Sequence, residues 1–172
     1  MTGPVGDEVD ALLEAWRRER PDLDVTPMEV LSRISRLAHH LDRGRAVAFS
    51  AHGLEPWEFD VLAALRRSGR PYQLSPGQLL RETLVTSGTM TNRVDRLAAR
   101  GLVNRDDDPG DRRGVLVRLT NRGRETVDVA LADLLDAERA MLDGLGDTDR
   151  NQLVGALRQL LARGEAAEPL NR

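Results

Sequence analysis

The chain has 172 residues, no cysteine, 40% apolar but only 3% aromatic residues, and a formal charge of −3. That length suits one domain or two small lobes, and the absent cysteine excludes disulfides, thiolate nucleophiles and thiolate metal sites. An interior left to Leu, Val and Ala favours helices over a β-sandwich, and no apolar run nears the roughly 18 residues of a membrane span, so a mainly α, cytoplasmic protein without membrane contact is expected.

The first predicted element is "GDEVDALLEAWRRERPD", an amphipathic helix with Val9, Leu12, Leu13 and Trp16 on one face and Pro21 as its stop. A long second helix follows. Thr26 suits its N-cap, Pro27 its first turn and Glu29 a capping box, and Met28, Val30/Leu31, Ile34, Leu37/Ala38 and Leu41 form an apolar stripe that ends at Gly53. "EPWEFDVLAALRRSG" gives a third helix, from Pro56 to Gly69. Two short helices come next, one capped by Ser75, the other by Thr86 or Ser87 and stopped by Gly101. Such a pair is a helix-turn-helix.

Leu102–Arg105 and Val115–Leu119 are apolar, β-branched runs on either side of Pro109-Gly110, so a two-stranded hairpin is expected. A helix-turn-helix followed by a hairpin is a winged helix. Two further helices, Asn121–Leu142 and Asp147 to about Arg163, close the chain. Their apolar stripes exceed what a small winged helix needs, and a second copy of the chain is the economical partner, giving a two-fold dimer. The expected organisation is therefore a dimerisation and ligand-site part over residues 1–54, a DNA-binding lobe over 55–120, and C-terminal dimerisation helices over 121–172.

Charge is distributed unevenly. Residues 1–70 hold 10 Arg against 12 acids, 71–124 hold 10 against 6, and 125–172 hold 5 against 10, so the basic surplus lies wholly in the middle segment. Every basic residue is Arg; any anion contact is therefore made by a planar, potentially bidentate fork.

On a helical wheel, Met90, Val94 and Leu97 of the second short helix share a narrow arc that faces a core. The opposite side holds Gly88, Thr91, Asn92, Asp95, Arg96 and Ala99. Small polar residues there either form an ordinary solvated face or let the helix enter a major groove, and the flanking hairpin favours the groove. Arg112 and Arg113 at the wing tip suit a minor groove. Asp106–Asp108 are open to three readings: turn formers, partners that orient arginines as Asp111 or Asp95 would, or a calcium loop. Contiguous acids, no following Glu and flanking strands argue against calcium.

"SGTMTNRVDRLAARGLVNRDDDPGDRRGVLVRLTNRG" resembles the MarR family of winged-helix transcriptional regulators over about Val30 to Leu161. The acidic "NRDDD" departs from relatives that carry basic or neutral residues there. The resemblance implies a homodimeric regulator, expected to be a repressor, on a pseudo-palindromic operator in double-stranded DNA. Ser87, Thr89, Thr91, Asn92 and Arg96 would be the major-groove residues. Arg113, with Arg112, would enter the minor groove, and Asp111 would orient it. Trp16, Asp60, Arg93 and Arg105 also match in type and order the branch that responds to urate or similar anions. That match implies a site for a flat organic anion such as urate or a polycarboxylate. Trp16 as an anchor for its helix, and Asp60–Arg93 as a fixed ion pair, are the structural alternatives. His39 and His40 read as interface or surface residues, with a pH-sensitive interface as the alternative.

An enzyme is disfavoured: the three histidines lack triad or metal-ligand spacing, so no catalytic residue, metal ligand or cofactor is expected. A helical scaffold that binds no DNA would need neither the wing arginines nor the Ser/Thr/Asn turn.

Overall fold

The computed structural model describes residues 6–83 and 87–167, except for the side chains of Ser87, 111–113 and 165–167. Among these it holds seven helices and three strands in the order α1 (Glu8–Glu19), α2 (Thr26–Ser50), α3 (Pro56–Arg67), β1 (Gln73–Leu74), α4 (Pro76–Thr83), α5 (Ser87–Ala99), β2 (Val103–Asp108), β3 (Asp111–Leu119), α6 (Asn121–Met141) and α7 (Asp147–Ala167). The chain separates into a unit up to Ala137 and a second unit from Glu138 onward.

Local chemistry sets the boundaries. Asp7 caps α1 by accepting from the Val9 and Asp10 amides at 2.8 and 3.1 Å, while the Asp7 amide donates to the Asp10 carboxylate at 2.7 Å. α2 starts differently from the sequence expectation. Val25 is its N-cap residue and makes no side-chain cap. Asp24, one residue further out, accepts from both the Thr26 amide (3.0 Å) and the Thr26 hydroxyl (2.8 Å). With Thr26 at the first helical position, its amide is one of the helix's unpaired N–H groups, and the Asp24 carboxylate takes both that amide and the Thr26 hydroxyl proton. Ser75 caps α4 as expected, its hydroxyl accepting from the Gln78 amide at 3.3 Å. Gly53, Gly69 and Gly101 end their helices at φ of 65°, 77° and 69°, a region that costs other residues.

The hairpin is longer than expected and carries a third strand. The sheet order is β1-β3-β2, with Gln73 opposite Arg118 and Leu74 opposite Val117. A two-residue strand has no alternation to read, which is why it escaped the sequence.

The core of the first unit gathers Phe49 and Leu54, then Val61, Leu62 and Leu65 of α3, Leu79 of α4, Met90, Val94 and Leu97 of α5, Val103 and Val117 of the sheet, and Val127 and Ala130 of α6. Phe49 and Phe59 stack with centroids 4.0 Å apart. α1 is held separately. Val9 and Leu13 bury against Val25, while Arg33 pairs with Asp7 (2.8 Å) and Asp10 (2.6 Å) and Arg17 with Glu29 (2.7 Å). Trp16 stays 44% exposed, so the anchor of α1 is aliphatic and the expected four-residue apolar face is narrower.

The apolar stripe of α2 is largely uncovered: Val30, Leu31 and Leu37 are about half exposed, and only Ala48 and Phe49 of this helix are buried. No helix among the described residues is long and apolar enough to cross a membrane.

Candidate nucleic-acid interface

α5 carries the expected two-sided pattern. Met90, Val94 and Leu97 are 1%, 2% and 0% exposed, whereas Gly88, Thr89, Thr91, Asn92, Asp95 and Arg96 are exposed. A helix buried on one side by three large apolar residues presents its small polar side outward as a rigid unit. The side chains of Ser87, Asp111, Arg112 and Arg113, and Thr86 as a cap, lie outside the described residues.

α5 and the wing are tied together. Arg105 on β2 pairs with Asp95 on α5, and Arg118 on β3 pairs with Asp106 at 2.9 Å. The Gly110 amide donates to Asp108 at 2.8 Å across the Pro-Gly turn. Two acids of the wing thus have distinct roles, Asp108 as a turn former and Asp106 as a partner of a strand arginine. No group of three or more potential metal ligands occurs among the described residues.

The floor beneath α5 is charged and was not read from the sequence. Glu58 is 1% exposed and is the one buried charged residue among those described. It pairs with Arg100 at the C-terminal end of the helix and accepts from the Glu55 amide at 3.0 Å. Arg100 also donates to the Gly53 carbonyl at 2.7 Å. The signal was the three-residue Glu55–Glu58 spacing around "EPWE", a capping pattern that conceals a buried ion.

Arg96 leans on α3. Its Nη2 donates to Glu55 at 3.1 Å, and its guanidinium carbon lies 4.7 Å from the Trp57 ring centroid. Arg93 approaches the same ring at 5.3 Å.

The four residues expected to hold an anion are not gathered in one place. Asp60 lines a cavity of about 410 Å³ with Asp42, Arg45, Phe49, Pro56, Phe59, Arg67 and Leu134. Surrounding protein raises its carboxyl above the ordinary 3.8, while the charges of Arg45, Arg93 and Arg67 pull the other way. Arg93 is thus near Asp60 electrostatically but sits over Trp57. Arg105 is engaged by Asp95, and neither it nor Trp16 lines the cavity. Arg45 and Arg67 do, and sequence reasoning missed them because ordinary surface arginines look the same.

A buried-backed polar helix, preceded by a short helix and followed by a hairpin wing, defines a winged helix-turn-helix transcriptional regulator. The model of the MarR family matches residues 52–114. PecS of Dickeya dadantii, an HTH-type transcriptional regulator, is 38% identical over 92% of this chain and 93% of its own length. Among solved structures, a mutant of MarR from E. coli complexed with operator DNA is 26% identical with a TM-score of 0.64, covering 81% of this chain and 99% of that one. Bordetella bronchiseptica BpsR, whose DNA binding is regulated by 6-hydroxynicotinic acid, is 28% identical with a TM-score of 0.58, over 74% of this chain and 91% of that one. The chain belongs to the MarR family.

Proposed function

We propose that this chain is a homodimeric repressor that holds a pseudo-palindromic operator and releases it when a small organic anion binds. The observation that carries the DNA-binding part is α5: a small polar face, exposed from Gly88 to Arg96 and backed by buried Met90, Val94 and Leu97. In this reading Ser87, Thr89, Thr91, Asn92 and Arg96 meet base edges and phosphates in the major groove. Arg113, with Arg112, enters the minor groove at the wing, oriented by Asp111. Residues 1–54 and 121–172 supply the dimer surface and 55–120 the DNA-binding lobe, with recognition helices about 34 Å apart, one helical turn of DNA.

The anion part rests on the cavity around Asp60, where Arg45 and Arg67 stand beside an apolar wall. Ligand regulation of DNA binding in BpsR supports the same kind of control here. Urate or a polycarboxylate would take arginine contacts and oppose ionised Asp60. Of the other expected residues, Arg93 takes part through its charge near Asp60, while Trp16 and Arg105 stand outside the cavity lining. A ligand shifts the lobe only by its differential affinity for the bound and released arrangements.

Selection of duplexes from a random library, followed by anisotropy titration at increasing KCl, tests the first part. The expected result is a selected site bound with a steep loss of affinity as salt rises. Equal, salt-insensitive binding to all duplexes would sink it. Calorimetry with urate and a series of di- and tricarboxylates tests the second. Heat that disappears in Arg45→Ala and Arg67→Ala is expected, and an operator complex untouched by every anion counts against the ligand reading.

A further inference from the structure

The N-terminal end of α3 is built against the exposed face of α5. Glu55 uses both carboxylate oxygens there. One accepts from Trp57 Nε1 at 2.6 Å, the other from Arg96 Nη2 at 3.1 Å. The indole lies under two guanidinium groups from successive turns of α5, Arg96 at 4.7 Å and Arg93 at 5.3 Å from the ring centroid. Trp57 packs against the main core, and Glu55 is tied through its amide to buried Glu58. The cradle is therefore anchored at its base. An independent feature places it beside the proposed groove residues: Trp57 shares one open basin with Gly88, Thr89, Asn92, Arg93 and Arg96.

We propose that Glu55 and Trp57 are positioning residues that set DNA sequence discrimination by holding the Arg96 guanidinium before DNA arrives. This rests on the DNA-binding reading above. A loose arginine pairs with any phosphate. One held over an indole and hydrogen-bonded to a carboxylate loses less freedom on docking, and only where an acceptor fits. Glu55 adds a second filter. Its charge repels a phosphate that approaches Arg96, but not the neutral acceptors of a base edge, which the remaining guanidinium N–H groups can meet. Arg93 on the same ring keeps the basin cationic and braces the indole from the preceding turn.

The full-length protein is titrated by anisotropy against a library-selected site and a scrambled duplex of equal length, from low to moderate KCl. Glu55→Gln keeps an acceptor for Trp57 but removes the charge. Scrambled-duplex affinity should then rise about threefold to tenfold, and its salt slope should steepen by about one per protomer. Affinity for the selected site should change less, so the ratio of selected to scrambled falls. Trp57→Leu fills the space without a π face and should weaken selected-site binding about tenfold, whereas Trp57→Phe should stay within about threefold. Thermal melts accompany each variant, and Glu55→Gln, at the surface, decides the matter if Trp57→Leu does not fold. A parallel rise on both duplexes in Glu55→Gln would show simple repulsion and overturn the proposal, as would a Trp57→Leu protein that folds and keeps the wild-type ratio. Wild-type protein that binds no duplex would overturn the DNA-binding reading and this proposal together; wild-type binding with unchanged ratios in the variants overturns the proposal alone.

Discussion

At the residue scale the decisive groups are carboxylates that protein surrounds. Glu58 is buried against a partly exposed Arg100. Removing the partner takes away the cation and leaves a buried carboxyl that keeps the Glu55 amide as a donor. Arg100→Met should cost about 2–3 kcal/mol, somewhat below the ~3–5 kcal/mol of a fully buried pair, because Arg100 keeps some water. Urea unfolding followed by far-UV circular dichroism measures this, and an unchanged midpoint would mean that Glu58 finds other donors. Asp60 behaves in the opposite sense. Its carboxyl is raised above 3.8 by its surroundings, so the native state binds the proton more tightly than the unfolded chain. The stability linked to that proton is fully present below 3.8 and is lost as pH rises through the raised value. Asp60→Asn should therefore raise the melting temperature at neutral pH, and the gain should shrink as pH falls toward 3.8. The same titration sets the sign for ligand. An anion beside Asp60 should bind more tightly as pH falls, and Asp60→Asn should flatten that dependence, as calorimetry at several pH values would record.

Elements depend on close approaches that only particular residues permit. Gly123 in the first turn of α6 sits against the Leu102 carbonyl, which a Cβ would meet at 2.0 Å. The Thr120 hydroxyl accepts from the Gly123 amide at 2.9 Å and donates to the Gly101 carbonyl at 2.9 Å, so the helix start is fixed onto the chain leaving α5. Gly123→Ala must push backbone apart, at a cost of about 1–3 kcal/mol or more, lowering the melting temperature of the purified protein by several degrees. How legible such features were depended on their range. Helix periods, glycine stops and the wing turn are local, and Met90, Val94 and Leu97 fell inward as their spacing implied. The two-residue β1 had too little pattern. The capping of α2 passed from Thr26 to Asp24 because the helix begins at Thr26 itself, one residue earlier than a Thr26 cap requires, which spacing alone does not fix. Arg96 could be assigned to an exposed face, but its seat on Trp57 and Glu55 depends on where the tertiary fold brings the start of α3 to α5. A buried Glu58 looked like any helix-start acid until Arg100, 42 residues on, came to meet it.

For the whole molecule the unresolved demand is apolar. Val30, Leu31 and Leu37 on α2, Val129 and Leu135 on α6, and Leu153, Val154 and Leu161 on α7 are all exposed in the single chain. Scattered apolar residues are ordinary on a surface, but large apolar side chains this exposed on three separate helices make an interface composition. In the proposed homodimer a second copy would cover these faces, because a symmetric operator needs two recognition helices in fixed register. The segment from residue 125 onward carries twice as many acids as arginines, which keeps excess positive charge near the wing and away from the proposed dimer helices. Leu31→Glu and Leu161→Glu each place a charge in such a surface. Both should shift the protein toward monomer in sedimentation velocity at micromolar concentration, with the helical signal retained. Operator affinity should then drop roughly 100-fold, because the second half-site no longer benefits from effective concentration, while affinity for an isolated half-site stays near wild type. Variants that remain dimeric with operator affinity intact would assign these faces to another partner and leave the dimer to be sought elsewhere on the chain.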